Sequence, residues 1–138
     1  MKAYQTTALD CSPAIQRILI VDDAKVIRSA LSELLEAEGY AVACAADGRE
    51  ALRSLAQRPF DLLVTDWRMP VLDGCELIRE LRRAEKDIPV ILLSLEVEDL
   101  PPDIRGEIHR AVAKADVAFE LLPAVRSALA SPRLCHKA

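Results

Sequence analysis

Five short apolar runs recur along the chain, at residues 17–21, 40–45, 60–65, 90–93 and 110–113. Each is too short for a helix and reads as a strand. Between them, apolar residues fall three and four positions apart, the spacing of a helix with one buried face. Residues 24–38 place Val26, Ile27, Ala30, Leu31, Leu34 and Leu35 on such a face, and Gly39 supplies the stop. Asp47-Gly48 is a turn from which Asp47 caps a helix over 49–57, which buries Ala51, Leu52 and Leu55 and is ended by Pro59. A third helix spans about 74–85, and Pro89 opens the fourth strand. The last helix, 117–130, carries Phe119, Leu121, Leu122, Val125 and Leu129. Pro123 sits well inside it, so it either begins late or kinks near Phe119. Residues 96–106 break the pattern. They are acidic and contain Pro101-Pro102, through which no ordinary helix runs, although a short one can start there.

Strands alternating with helices five times predict an α/β fold: a doubly wound, five-stranded parallel sheet with helices on both faces and right-handed crossovers. The run 60–65 is apolar through its centre, as expected of a strand covered on both sides. The pattern places one domain at 17–130, after a flexible leader at 1–16 and before a tail at 131–138.

Composition narrows the function classes. With 51% hydrophobic and 29% charged residues, the chain can bury a core and is not generally disordered. A net charge of −4 and the lack of a basic run argue against direct nucleic-acid binding. No apolar stretch suits a signal peptide or a membrane span. Cys11, Cys44, Cys75 and Cys135 are scattered, without metal-ligand spacing. They do not read as a disulfide framework, which fits a reducing cytoplasm, and Cys44 reads as a small core residue.

In a parallel sheet all the carboxyl ends lie on one edge, where ligands bind. Asp22 and Asp23 follow strand one, Asp66 strand three, Ser94 strand four and Lys114 strand five, so all five converge there. A carboxylate at the tip of a buried strand is costly unless charge meets it. Three carboxylates and one ammonium point to a divalent cation site with a nucleophile beside it. Several neighbours have plainer roles. Asp73 reads as a helix cap, Met69-Pro70 as the shaper of the loop, Trp67 as a partly exposed wall of the site, and His109 as a surface or strand residue. Alone, Asp22 or Asp23 can serve as an N-cap and Lys114 reads as a solvated surface charge; the acids' joint placement with Asp66 favours the metal reading, and Lys114 takes its weight from position.

The acid pair Asp22-Asp23, the run Asp66-x-x-Met69-Pro70-x-x-Asp73-Gly74, Ser94 and Lys114 together resemble the receiver domain of bacterial two-component response regulators, over residues 17–130. The resemblance implies a flavodoxin-like sheet of order 2-1-3-4-5. It implies that Asp66 accepts a phosphoryl group from the phosphohistidine of a sensor histidine kinase or phosphotransfer protein. Asp22, Asp23, Asp66 and the backbone carbonyl of Arg68 would hold Mg2+, which takes oxygen ligands and keeps some waters. Lys114 would supply positive charge and Ser94 a hydroxyl donor. The product is an acyl phosphate that water hydrolyses, so the chain takes up and loses phosphate without being a conventional enzyme. It would signal in the cytoplasm by binding a downstream protein or relaying phosphate, with no output domain, no direct nucleic acid and no membrane.

Four departures from the family pattern follow strand four. Leu95 stands where a small residue is usual and is expected to crowd Asp66. Ala111 replaces the aromatic switch three residues before the Lys. Ala115 replaces the proline after the Lys, often preceded by a cis bond; a cis bond here would cost about 3 kcal/mol. The acidic, Pro-containing segment replaces helix four. Arg68 and Glu96 flank the mouth and are placed to pair across it, as a weak rim contact. A rival reading is a receiver-like binding module that signals without phosphorylation. A hydrolase of the two-Asp type would want Asp at position 68, where Arg68 stands.

Overall fold

The computed structural model describes residues 15–95 and 100–130. The tail at 131–138, most of the expected leader, Cys11, Cys135 and Glu96 lie outside the described residues. Five strands form: β1 (Arg17–Val21), β2 (Ala41–Ala45), β3 (Leu62–Asp66), β4 (Val90–Ser94) and β5 (Arg110–Ala113). All pairings are parallel and the order is β2-β1-β3-β4-β5. This is the expected flavodoxin-like order. β3 and β4 are buried at every position, as their unbroken apolar runs require in a sheet covered on both faces.

Alternate residues of the strands feed two cores. Leu19, Val21, Leu63, Val90 and Leu92 face one side, under α2 (Gly48–Gln57), α3 (Gly74–Arg83) and the short α4 (Pro102–Arg105). Ile18, Ile20, Leu62, Val64, Ile91, Leu93 and Val112 face the other, under α1 (Lys25–Glu36) and α5 (Val117–Ala130). Each fully buried Leu or Ile stabilises the fold by roughly 1.5–3 kcal/mol, so the sheet is the rigid frame of the molecule.

Local signals set the helix starts. The Asp47 carboxylate accepts the Glu50 amide and caps α2. Asp73 and Glu76 form a reciprocal capping box on α3, with bonds of 2.8 and 3.1 Å. α4 is a single turn with Pro102 at its first position, as a Pro-Pro start allows. Two ion pairs clamp this segment to α3: Arg79 with Asp103 at 2.9 Å and Arg82 with Glu107 at 2.8 Å. Gly39, at φ +97°, lets the chain leave α1 in a conformation other residues rarely adopt.

Three expectations are corrected. Val26, Ile27 and Ala30 are exposed; burial on α1 is carried by Leu31 and Leu35. The core on that side of the sheet takes Leu31 and Leu35 and, in part, Leu34, so α1 packs through its later turns. Cys44 is exposed, because β2 is an edge strand shielded on one flank only; its Sγ lies 3.1 Å from Ser32 Oγ. Phe119 is 81% exposed. The buried positions of α5 are Leu121, Ala124, Val125 and Ala128, and Phe119 lies two residues before this stripe, about 200° round the helix. α5 does not begin late: it starts at Val117 and continues past Pro123. Pro123 removes the helix bond to the Phe119 carbonyl, and both residues are exposed, so water can reach the freed oxygen.

Candidate functional site

Each strand that ends at the carboxyl edge delivers a polar group there. β1 runs into Asp22 and Asp23, β3 ends on Asp66, β4 ends on Ser94, and β5 passes into a 3-10 turn (Lys114–Asp116). Register aligns the tips: Asp66 pairs with Leu93, and Ser94 with Ala113. Asp22 is 1% exposed, Asp66 3% and Ser94 4%, so three polar side chains are withdrawn from water at one edge. Asp23 beside them is exposed.

The geometry brings the acids and the lysine together. Lys114 Nζ lies 2.9 Å from Asp66 Oδ1 and 3.9 Å from Asp22 Oδ2. One carboxylate oxygen from each of Asp22, Asp23 and Asp66 lies within 4.8 Å of the others. Asp22 Oδ1 accepts the Ala24 amide at 2.9 Å, but its Oδ2 is buried without a hydrogen-bond partner. Burial pushes the Asp22 carboxyl above the usual carboxylate range; the Ala24 amide opposes this, Asp66 adds to it, Lys114 opposes, and Asp23 adds again. The ammonium therefore reaches two of the three clustered acids, Asp66 closely and Asp22 at 3.9 Å, which leaves the cluster short of positive charge.

That shortage, the orphaned oxygen and the all-oxygen donor set fit a small hard cation. Among the described residues no thiol joins the cluster; that of Cys75 is buried, and desolvation first, then Asp73, raises it to about 11.

The loop after Asp66 is shaped by its turn residues. The Leu72 amide donates to the Pro70 carbonyl at 2.8 Å across Val71, which takes φ +73°. This is a γ-turn of the rare, strained kind. The Gly74 amide then returns to the Trp67 carbonyl at 2.7 Å. A Cβ at Gly74 would stand 2.3 Å from the Asp66 carbonyl oxygen. Gly74 is thus what lets α3 start against the tip of β3. Its motif position was visible in the sequence; the close approach that demands it was not.

Trp67 is not a partly exposed wall: it is 6% exposed and packs in the core with Cys75, because its side chain leaves β3 on the face opposite Asp66. The Arg68 guanidinium lies over its ring, 4.2 Å from the centroid. Leu95 is 80% exposed and does not close over Asp66; it follows the last residue of β4 and turns out to solvent. Ala111 is half-buried against the core, and Asp73 is the expected cap. His109 lies on the surface, its Nε2 3.0 Å from Ser127 Oγ. Arg28 carried no signal in the sequence, yet its Nη1 donates to the Asp22 carbonyl at 2.7 Å.

Comparison with known proteins agrees with this geometry. Residues 18–121 match the response regulator receiver domain model. The transcriptional regulatory protein PrrA of Mycobacterium tuberculosis is 35% identical over 123 residues, covering 88% of this chain and 53% of that protein. The chain thus spans about half the length of that relative. The response regulator TrrA of Thermotoga maritima, solved in complex with Mg2+ and BeF, matches with a TM-score of 0.77 at 34% identity, over 83% of this chain and 100% of that one. A chemotaxis response regulator of Vibrio cholerae matches with a TM-score of 0.73 at 30% identity, over 84% and 100%. With its paired acids at the end of β1, its acid at the tip of β3 and its lysine after β5, the chain belongs to the response regulator receiver domain family.

Proposed function

We propose that Asp66 accepts a phosphoryl group from the phosphohistidine of a sensor kinase or phosphotransfer protein, and that the domain then signals through another protein. The observation that carries this is the buried Asp66 carboxylate held 2.9 Å from Lys114 Nζ, with the unsatisfied Asp22 oxygen beside it. An Asp66 oxygen attacks phosphorus; the P–N bond breaks and its electron pair leaves on the imidazole nitrogen, which takes up a proton. Lys114 and the Ser94 hydroxyl meet the phosphoryl oxygens. Water later attacks the acyl phosphate, returning the carboxylate and inorganic phosphate. Asp22, Asp23, Asp66 and the Arg68 backbone carbonyl hold Mg2+ in this reading, and the TrrA complex supports the choice of ion. Bound there, Mg2+ offsets the repulsion among the acids and the charge on the incoming group. Phosphate uptake and loss make this a signalling acceptor, not a conventional enzyme.

The reading places the chain in the cytoplasm. Among the described residues no helix is long and apolar enough to cross a membrane. With net charge −4 and no basic run, the domain itself is not expected to contact nucleic acid; PrrA is a transcriptional regulator, so any such contact by a longer protein would lie outside this domain. Incubation with acetyl phosphate and Mg2+, read by intact mass, tests the proposal. One added phosphoryl group is expected on the native chain and none on Asp66→Ala. Ala111 and the one-turn α4 favour a second reading, a module that binds its partner whether or not Asp66 is phosphorylated. Partner affinity unchanged by beryllofluoride would select it.

A further inference from the structure

The turn between β1 and α1 carries two of the three acids, yet its usual supports are missing. α1 has no side-chain cap at Ala24 and no acid in its first turn. Asp22 is instead held at three atoms. Its amide donates to the Ala45 carbonyl at 3.2 Å, its Oδ1 accepts the Ala24 amide at 2.9 Å, and its carbonyl accepts Arg28 Nη1 at 2.7 Å. Only Oδ2 is left over, buried and 3.9 Å from Lys114 Nζ. Arg28 is the only side chain of another residue among these supports; the other two partners are backbone groups.

The bond from Arg28 has a consequence beyond capping. The Asp22 carbonyl belongs to the rigid peptide plane that joins Asp22 to Asp23. A donor fixed on that oxygen sets the rotation of the plane, and with it the direction in which both acids leave the backbone. Such outer supports change metal affinity by about 10–100-fold when they are removed from known sites. We propose that Arg28 is a positioning residue of the cation site: it aligns Asp22 and Asp23 through the carbonyl between them. This rests on the phospho-acceptor reading above.

The test is a Mg2+ titration of the unaltered chain, Arg28→Met and Arg28→Lys, well below each melting temperature. Trp67 fluorescence and the amide shifts of Asp22, Asp23 and Asp66 report binding without any phosphorylation. Arg28→Met is expected to raise the half-saturating Mg2+ concentration about ten-fold, and Arg28→Lys, which can still donate one bond to a carbonyl, to recover part of the loss. Phosphoryl uptake by Arg28→Met should approach that of the unaltered chain as Mg2+ is raised. A lowered melting temperature in Arg28→Met with unchanged Mg2+ affinity would mean that Arg28 only braces the helix, and overturns the inference. Arg28→Gln, whose polar end is too short to reach Asp22, carries the same test if Arg28→Met does not fold. An unaltered chain blind to Mg2+ in both signals overturns the phospho-acceptor reading, and this inference with it.

Discussion

Asp22 is a buried acid that the lysine reaches only at 3.9 Å. Its burial fixes the sign of a pH effect. The Asp22 carboxyl is raised, mainly by burial, so above the ordinary carboxylate pKa the folded chain holds a proton that the unfolded chain has lost. Stability from this group therefore falls as pH climbs from about 4 through the raised folded value. Without metal, Asp22→Asn is expected to melt higher than the native chain at pH 7, with the gap closing towards pH 4; saturating Mg2+ should reverse the order at pH 7. Calorimetry across pH checks this, and a gap that widens on acidification would refute it. Gly74→Ala drives a methyl into the Asp66 carbonyl, and overpacking of this kind costs about 1–3 kcal/mol, measurable by urea unfolding. The acids, the lysine and the caps at Asp47 and Asp73 were legible in the sequence because each type at a strand or helix end has few uses. Trp67, Cys44 and Leu95 were not. Their burial depends on which way a loop turns and on which strand lies at the sheet edge, and neither is written in local spacing.

At the scale of elements, periodicity placed all five strands and the main helices but misjudged the phase of two. α1 and α5 each carry large apolar residues near their starts, and a pattern counted on identity alone assigns these to the core. α1 reaches the core only from Leu31 on, whereas α5 already packs at Val117 and simply turns Phe119 to its far side, so Val26 and Phe119 stand in solvent while Leu35 and Leu121 are fully enclosed. Phe119→Ala should then change stability by less than about 0.5 kcal/mol, as at other exposed sites. Leu121→Ala should cost about 2–5 kcal/mol. Equal losses in urea unfolding would show that Phe119 packs after all. The one-turn α4 was legible as a start after Pro101-Pro102, but its anchoring was not. Arg82 donates to the Glu107 carboxylate and to the carbonyls of Lys86, Ile88 and Glu107. The partners lie up to 25 residues away, and such pairing appears only once the chain is folded.

For the whole molecule the question is where a signal at Asp66 can go. Receiver domains as a family are expected to turn an aromatic side chain inward before the lysine and to rearrange the face built on helix four, strand five and helix five. Here Ala111 stands at the aromatic position, and α4 is one turn clamped to α3 by Arg79 and Arg82. The usual lever is missing and its neighbour is tied down. A modification shifts an equilibrium only between states it contacts differently, and the groups near Asp66 are the loop tips at the carboxyl edge. Exposed apolar side chains also gather on the segments leaving that edge: Val26 opens α1, Val71 sits on the strained turn, Leu95 follows β4 and Phe119 opens α5. A partner reading that edge would sense the phosphoryl group directly. Beryllofluoride with Mg2+ is therefore expected to move the amides of residues 22–24, 66–72 and 114–116 and of Ser94 and Leu95, and to leave Leu121 to Ala130 nearly still. Large shifts along the whole of α5 would show that coupling survives without the aromatic, and that the face behind Ala111 still carries the output.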